Sequence, residues 1–266
     1  MSKRIISVSY KDDTPAFFSE EFFADYAAGY RDINTKFGTM HVSLRPEDVF
    51  CFVFWTKNPS DHFLKHIDDL KSPYYVQWTI TGYGKDIEKN IPDKDVVMQR
   101  FKTLSERIGK SRCIWRYDPI LMAPGLEVDW HVKRFEKMAA NLEGYTDRCV
   151  ISFMDSYAKI NKECVRLGMR PPTYDEIQKV SEGIAKSAAR HGMTVQTCAE
   201  RKYDLRRYGI VEGACIDGDY IEHEFGVELP EKIKKPGSFR PCLCILNTDI
   251  GSYHRCKHGC EYCYAK

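Results

Sequence analysis

The sequence predicts an α/β fold of repeated strand–helix units, read as a partial or complete (βα) barrel ahead of an open doubly wound sheet. Three observations carry this. Strand-like runs rich in β-branched and aromatic residues recur along the chain, several of them near-continuously apolar, as parallel strands covered on both faces are. Helical patterns alternate with those runs. The chain has 266 residues, 43% of them hydrophobic, enough for one sizeable core.

In chain order, the first strand run is Ile5–Val8, followed by a helical pattern over Ser19–Tyr30. Val49–Trp55 is a second strand, apolar at every position, and Ser60–Leu70 the helix after it. Tyr74–Ile80 precedes a helix at Lys94–Ile108, and Cys113–Tyr117 precedes one at Asp129–Asn141. Cys149–Met154 leads to the helix Thr173–His191. Thr173 and Glu176 there have the spacing of a capping box, and Gly192 follows as a C-terminal cap. Thr194–Cys198 and Cys242–Leu246 complete the strand set. Residues 213–240 are polar and read as an irregular excursion within a single domain spanning 1–266.

No apolar run approaches the roughly 18 residues of a membrane span, and the N-terminal apolar stretch is too short for a signal peptide. A soluble cytoplasmic protein is expected, with no membrane partner. The formal net charge is +2, so charge neither requires nor excludes a nucleic-acid substrate. Two basic clusters, Arg201, Lys202, Arg206 and Arg207, then Lys232, Lys234, Lys235 and Arg240, read as solvated faces ahead of a phosphate-binding groove.

In βα repeats, chemistry gathers where strands end. There the sequence places Lys57, Arg116 and Asp118, with Glu200, Asn247 and Asp249. Such charges are costly to bury without ligands or mutual pairing. Lys57, Arg116 and Asp118 are the candidate substrate or cofactor contacts at the mouth.

Seven of the eleven cysteines fall in the last 69 residues. In a reducing compartment this clustering points to metal or iron–sulfur binding rather than disulfides. Cys51, Cys113, Cys149 and Cys164 read as structural. Cys256, Cys260 and Cys263 form a C-x3-C-x2-C triplet, a spacing suited to holding three irons of a four-iron cubane and leaving the fourth open to the amino and carboxylate groups of S-adenosylmethionine. A zinc site completed by His254 or His258 is the competing reading. Cys198, Cys215, Cys242 and Cys244 match in number a second, fully ligated [4Fe–4S] cluster, and equally a zinc site, with iron–sulfur preferred. Cys242 and Cys244 would share one face of a strand.

The segment from Asn247 to Ala265 resembles the cluster-binding segment of radical S-adenosylmethionine enzymes. It is nearest to the spore-photoproduct-lyase-like proteins known as DNA repair photolyases. Phe54–Pro59, Ile114–Ile120, Cys198–Glu200 and Cys215–Asp217 are similar to a family called domain of unknown function 1848, so the likeness spans nearly the whole chain. The resemblance implies a barrel circularly permuted to put the cluster loop at the C-terminus, with Cys242–Leu246 as the usual first strand, moved to the end. It implies that Ser9, Tyr10, Asp12 and Asp13 neighbour the cluster, that Tyr262 holds the adenine of S-adenosylmethionine, and that flavodoxin or ferredoxin donates electrons. A Gly-Gly-Glu motif for the methionyl amine is not found. The expected function is a radical enzyme acting on a small molecule or peptide, with nucleic acid as a further substrate class. An iron–sulfur electron carrier or redox sensor and a zinc-stabilised nucleic-acid-binding module are the rival classes.

Overall fold

The computed structural model describes residues 3–35, 38–235 and 242–265. Arg240 of the second basic cluster, with the end of the 213–240 segment, lies outside them. The strands are β1 (Arg4–Val8), β2 (Tyr30–Thr35), β3 (Gly38–Ser43), β4 (Val49–Thr56), β5 (Tyr74–Thr79), β6 (Cys113–Ile120), β7 (Arg148–Phe153), β8 (Thr194–Cys198), β9 (Val211–Gly213) and β10 (Thr248–Asp249). The helices are α1 (Thr14–Phe17), α2 (Ser19–Ala28), α3 (Asp61–His66), α4 (Lys94–Ile108), α5 (Val128–Leu142), α6 (Asn161–Leu167), α7 (Tyr174–Arg190), α8 (Gly218–Phe225) and α9 (Glu231–Lys234).

Eight strands form one parallel sheet in the order β10-β1-β4-β5-β6-β7-β8-β9, while β2 and β3 make a separate antiparallel hairpin. This mixed α/β sheet is compatible with a barrel-like domain. A backbone hydrogen bond of 3.0 Å from Ile245 to Ile216 links the segments lying beyond its two edges.

Alternation along the strands sorts side chains to two faces. Ile6, Val8, Phe52, Phe54, Val76, Trp78, Trp115 and Ile151 pack under the helices, against Phe22, Phe63, Phe101, Phe135 and Ile184. Ile5, Cys51, Val53, Tyr75, Ile114 and Val150 face the other way, onto Cys215, Ile216, Ile221, Leu229, Ile233 and Ile245. Both faces are thus apolar, which is why β4 reads as an unbroken hydrophobic run. Cys51, Cys113 and Cys149 are fully buried core residues and Cys164 is half-buried. The predicted capping box closes α7: Thr173 Oγ1 accepts from Glu176 N at 3.4 Å, and Glu176 Oε2 accepts from Thr173 N at 2.7 Å.

Two sequence expectations are corrected. Residues 213–235 are not irregular. Asp217 caps α8 by accepting from Tyr220 N, and Ile221, Leu229 and Ile233 cover the second face of the sheet. Cys242–Leu246 is not a sheet strand. The edge of β1 is taken instead by β10, which pairs Ile6 with Thr248 and Ser7 with Asp249, so Cys242 and Cys244 share no strand face.

Candidate functional site

The chain from Asp249 onward is moored to the first strand. Asp249 accepts from Ser7 Oγ at 2.7 Å, Ser9 Oγ at 2.9 Å and the backbone of Tyr10 at 3.0 Å. Gly251 is required here, because a Cβ at that position would fall 1.9 Å from Ser9 Oγ. Asp12 Oδ2 accepts from Ser252 N at 3.0 Å, and the phenol of Tyr264 donates to the Tyr10 carbonyl at 3.0 Å. His258 Nε2 donates to Asp13 Oδ2 at 2.7 Å, and that same oxygen accepts from Lys57 N at 2.7 Å. Ser9, Tyr10, Asp12 and Asp13 therefore neighbour the cysteine segment, as expected.

The triplet also docks on the loop after β5. Glu88 bridges to Cys260, Glu261 N donates to the Ile87 carbonyl at 2.9 Å, and Asn90 N donates to the His258 carbonyl at 3.0 Å. Glu88 is 1% exposed and is the anchor of this corner. It takes Lys57 Nζ at 2.8 Å, Lys94 Nζ, and the phenol of Tyr262. Burial alone would push its carboxyl up, but the two ammonium groups hold it down at about 2. Lys57, despite its own burial, is held above the usual lysine range by Glu88 and Cys260. Its ammonium also lies 5.4 Å from the Tyr262 ring centroid. Tyr262 is thus committed, through its hydroxyl, to a buried ion cluster.

Burial pushes the thiols of Cys256 and Cys260 up to about 12. Each triplet cysteine lies within electrostatic range of the others. Among the described residues, no group of three or more His, Cys, Asp or Glu could hold a metal ion as the side chains stand. The donor types are nonetheless those that a metal ion or iron–sulfur cluster uses. Three thiols share one short loop beside the Lys57 ammonium. At the adjoining strand ends Thr56 Oγ1, Asn58 Oδ1 and Thr81 Oγ1, and within the loop itself His258 Nδ1, are buried with no hydrogen-bond partner among the described residues.

Beside this corner, on the second face of the sheet, Arg116 and Asp118 form a bidentate pair, with Nη2 to Oδ2 at 2.5 Å and Nε to Oδ1 at 3.2 Å. Gln77 Oε1 accepts from Arg116 at 3.1 Å, and Thr79 and Ser152 hydroxyls reach Asp118 at 3.4 Å. The guanidinium stands 5.1 Å from the Trp55 ring, and Asp118 lies within electrostatic range of Lys57.

Residues 5–265 match the family described as "Domain of unknown function (DUF1848)". The chain belongs to that family. No curated protein matches it. A crystal structure of a "putative alpha-L-fucosidase" from Bacteroides thetaiotaomicron is similar at 12% identity with a TM-score of 0.31, covering 85% of this chain and 97% of that one. A likeness at that level carries no argument about activity.

In this DUF1848 chain the second cysteine set is also partly assembled. Cys198 and Cys215 Sγ atoms share a hydrogen bond at 3.1 Å. Cys244 Sγ accepts from the backbone N–H groups of Cys215 at 3.2 Å and Ile216 at 3.5 Å. Arg116 Nη1 donates to Cys215 Sγ at 2.8 Å. Cys242 is half-buried, within electrostatic range of Cys244. Sequence reasoning missed Glu88, which sits in the loop beyond β5 with no motif around it, and Gln77, whose position inside an apolar strand is the signal that could have found it. No helix among the described residues is long and apolar enough to cross a membrane.

Proposed function

We propose that this DUF1848 chain is a radical S-adenosylmethionine enzyme of the resemblance's circularly permuted barrel type. Cys256, Cys260 and Cys263 would hold three irons of a [4Fe–4S] cluster, and S-adenosylmethionine would occupy the fourth. The observation that supports this reading is the docking of the C-x3-C-x2-C loop at the C-terminal ends of β1, β4 and β5, where such folds keep their chemistry. When bound, that group supplies the one-electron reductive cleavage of S-adenosylmethionine, with flavodoxin or ferredoxin as the class of donor.

The chain's own residues position and shield. The Lys57–Glu88–Lys94–Tyr262 cluster clamps the loop and fixes the orientation of the Cys260 backbone. Tyr262 would contact the adenine through its backbone, since its hydroxyl is engaged. Arg116 and Asp118, with Gln77 and Ser152, offer the substrate a polar wall whose charges are already mutually paired. That wall suits a small polar molecule or peptide better than a polyanion, in keeping with the near-neutral net charge.

Anaerobic purification with iron and sulfide counting, followed by incubation with dithionite and S-adenosylmethionine, tests the reading. About four irons on the loop, lost in Cys256→Ala/Cys260→Ala/Cys263→Ala, with 5′-deoxyadenosine made by the wild type alone, is the expected result. Iron without the nucleoside would make the protein a carrier or sensor. Zinc on the loop would overturn the proposal outright.

A further inference from the structure

We propose a second metal centre, distinct from the terminal loop: a single tetrahedral zinc ion held by Cys198, Cys215 and Cys244, with Cys242 as fourth ligand. Three separate segments bring these thiols together: the end of β8, the turn after β9, and the strap leading to β10. Nothing in local sequence spacing requires that convergence. Cys198 and Cys215 sulfurs stand 3.1 Å apart. Two thiolates on one zinc, with bonds of about 2.3 Å at the tetrahedral angle, stand about 3.8 Å apart. An opening of roughly 0.7 Å therefore makes room for one ion. In a four-iron cubane each cysteine binds a different iron, which spreads the sulfurs farther than two ligands of one ion. The Cys198–Cys215 contact is nearer the spacing of two ligands of one ion, and the proposal takes the mononuclear site in place of the second cluster expected from the cysteine count.

The surroundings are those of a ligand set. Cys244 Sγ accepts two backbone N–H groups, the kind of outer contact that orients a metal thiolate and spreads its charge. Four thiolates around a divalent ion carry net negative charge, and the buried Arg116 guanidinium sits 2.8 Å from Cys215 Sγ to offset it. A closed four-cysteine site is the structural zinc pattern. Here it would pin Cys215, Ile216, α8, α9 and Ile245, which cover the second face of the sheet, to β8 and to the Arg116–Asp118 pair.

The test uses the full chain carrying Cys256→Ala/Cys260→Ala/Cys263→Ala, so that no loop thiol contributes and failure of the radical-enzyme reading leaves this one untouched. About one zinc per chain is expected, together with the thiolate-to-metal absorption and visible bands of a tetrahedral site after cobalt substitution. Adding Cys215→Ser should abolish both. Because that change alters a buried side chain, mercurial titration of the parent variant serves as a second measurement, with zinc release expected as the thiols are blocked. Protein without zinc, an octahedral cobalt spectrum, retention of zinc after Cys215→Ser, or about four irons in place of zinc would each overturn the proposal.

Discussion

His258 donates through Nε2 to Asp13 Oδ2 at 2.7 Å, joining two residues 245 positions apart. Asp13 also accepts from Lys57 N and, through Oδ1, from Ala16 N, so one carboxylate caps α1, fixes the turn after β4 and holds the cysteine loop. Asp13→Ala removes both acceptor oxygens and the three hydrogen bonds they take, and leaves buried donors unpaired. It should cost about 2–4 kcal/mol, seen as a lower urea midpoint and faster proteolysis around residues 252–263. Asp13→Asn, which keeps one acceptor oxygen, should lose less. Equal losses in the two variants would argue against the three-way role.

Glu88 is the second test point. Lys57→Met leaves its buried carboxylate with one ammonium fewer and should destabilise by about 3 kcal/mol. Tyr262→Phe removes one hydroxyl and should cost about 1 kcal/mol. The folded carboxyl sits at about 2, below its usual value near 4.5. Its contribution is therefore present above pH 4.5 and lost as pH falls through about 2. Acid unfolding should begin at higher pH in Lys57→Met, and an unchanged acid limb would count against the assignment.

Glu200 behaves oppositely. Burial raises its carboxyl to about 7, against the hydrogen bond it accepts from Phe153 N at 2.8 Å. A raised carboxyl favours the native state while protonated. That contribution is full below about pH 4.5 and is lost as pH rises through about 7, by about 2–3 kcal/mol. Glu200→Gln should flatten the decline in urea midpoint between pH 5 and pH 8. A slope matching wild type would show that another group is responsible.

Gly251→Ala tests the mooring of β10. The new methyl would lie 1.9 Å from Ser9 Oγ and 3.0 Å from Asp12 Oδ1, so backbone must shift where Asp249 meets β1. A cost of about 1–3 kcal/mol is expected, read as a fall in melting temperature. A variant as stable as wild type would mean that this junction yields readily.

The sheet was legible because strands covered on both faces carry their own signature. β4, β5 and β7 are apolar almost throughout, and α4 and α7 carry a strong 3.6-residue period with polar caps. The β2–β3 hairpin escaped notice because Tyr30–Thr35 has polar residues on both sides and its pairing spends no core residue except Val42. Cys242–Leu246 has strand composition, yet a strand needs a vacant edge, and β1 offers its edge to Thr248 and Asp249. At the site, the cysteines and the strand-end Lys57, Arg116 and Asp118 could be picked out from spacing and position. Glu88 could not, since a lone acid in a loop acquires its meaning only from the two lysines and the tyrosine that fold onto it.

The edge pairing of β10 with β1 has a bearing on synthesis. Every strand and loop that the cysteine triplet touches leaves the ribosome before the triplet does. The contacts that seat Cys256, Cys260 and Cys263, from Asp13, Ile87, Glu88 and Asn90, all come from earlier in the chain. The loop is therefore a latch that can close only on a frame which residues far ahead of it have already built.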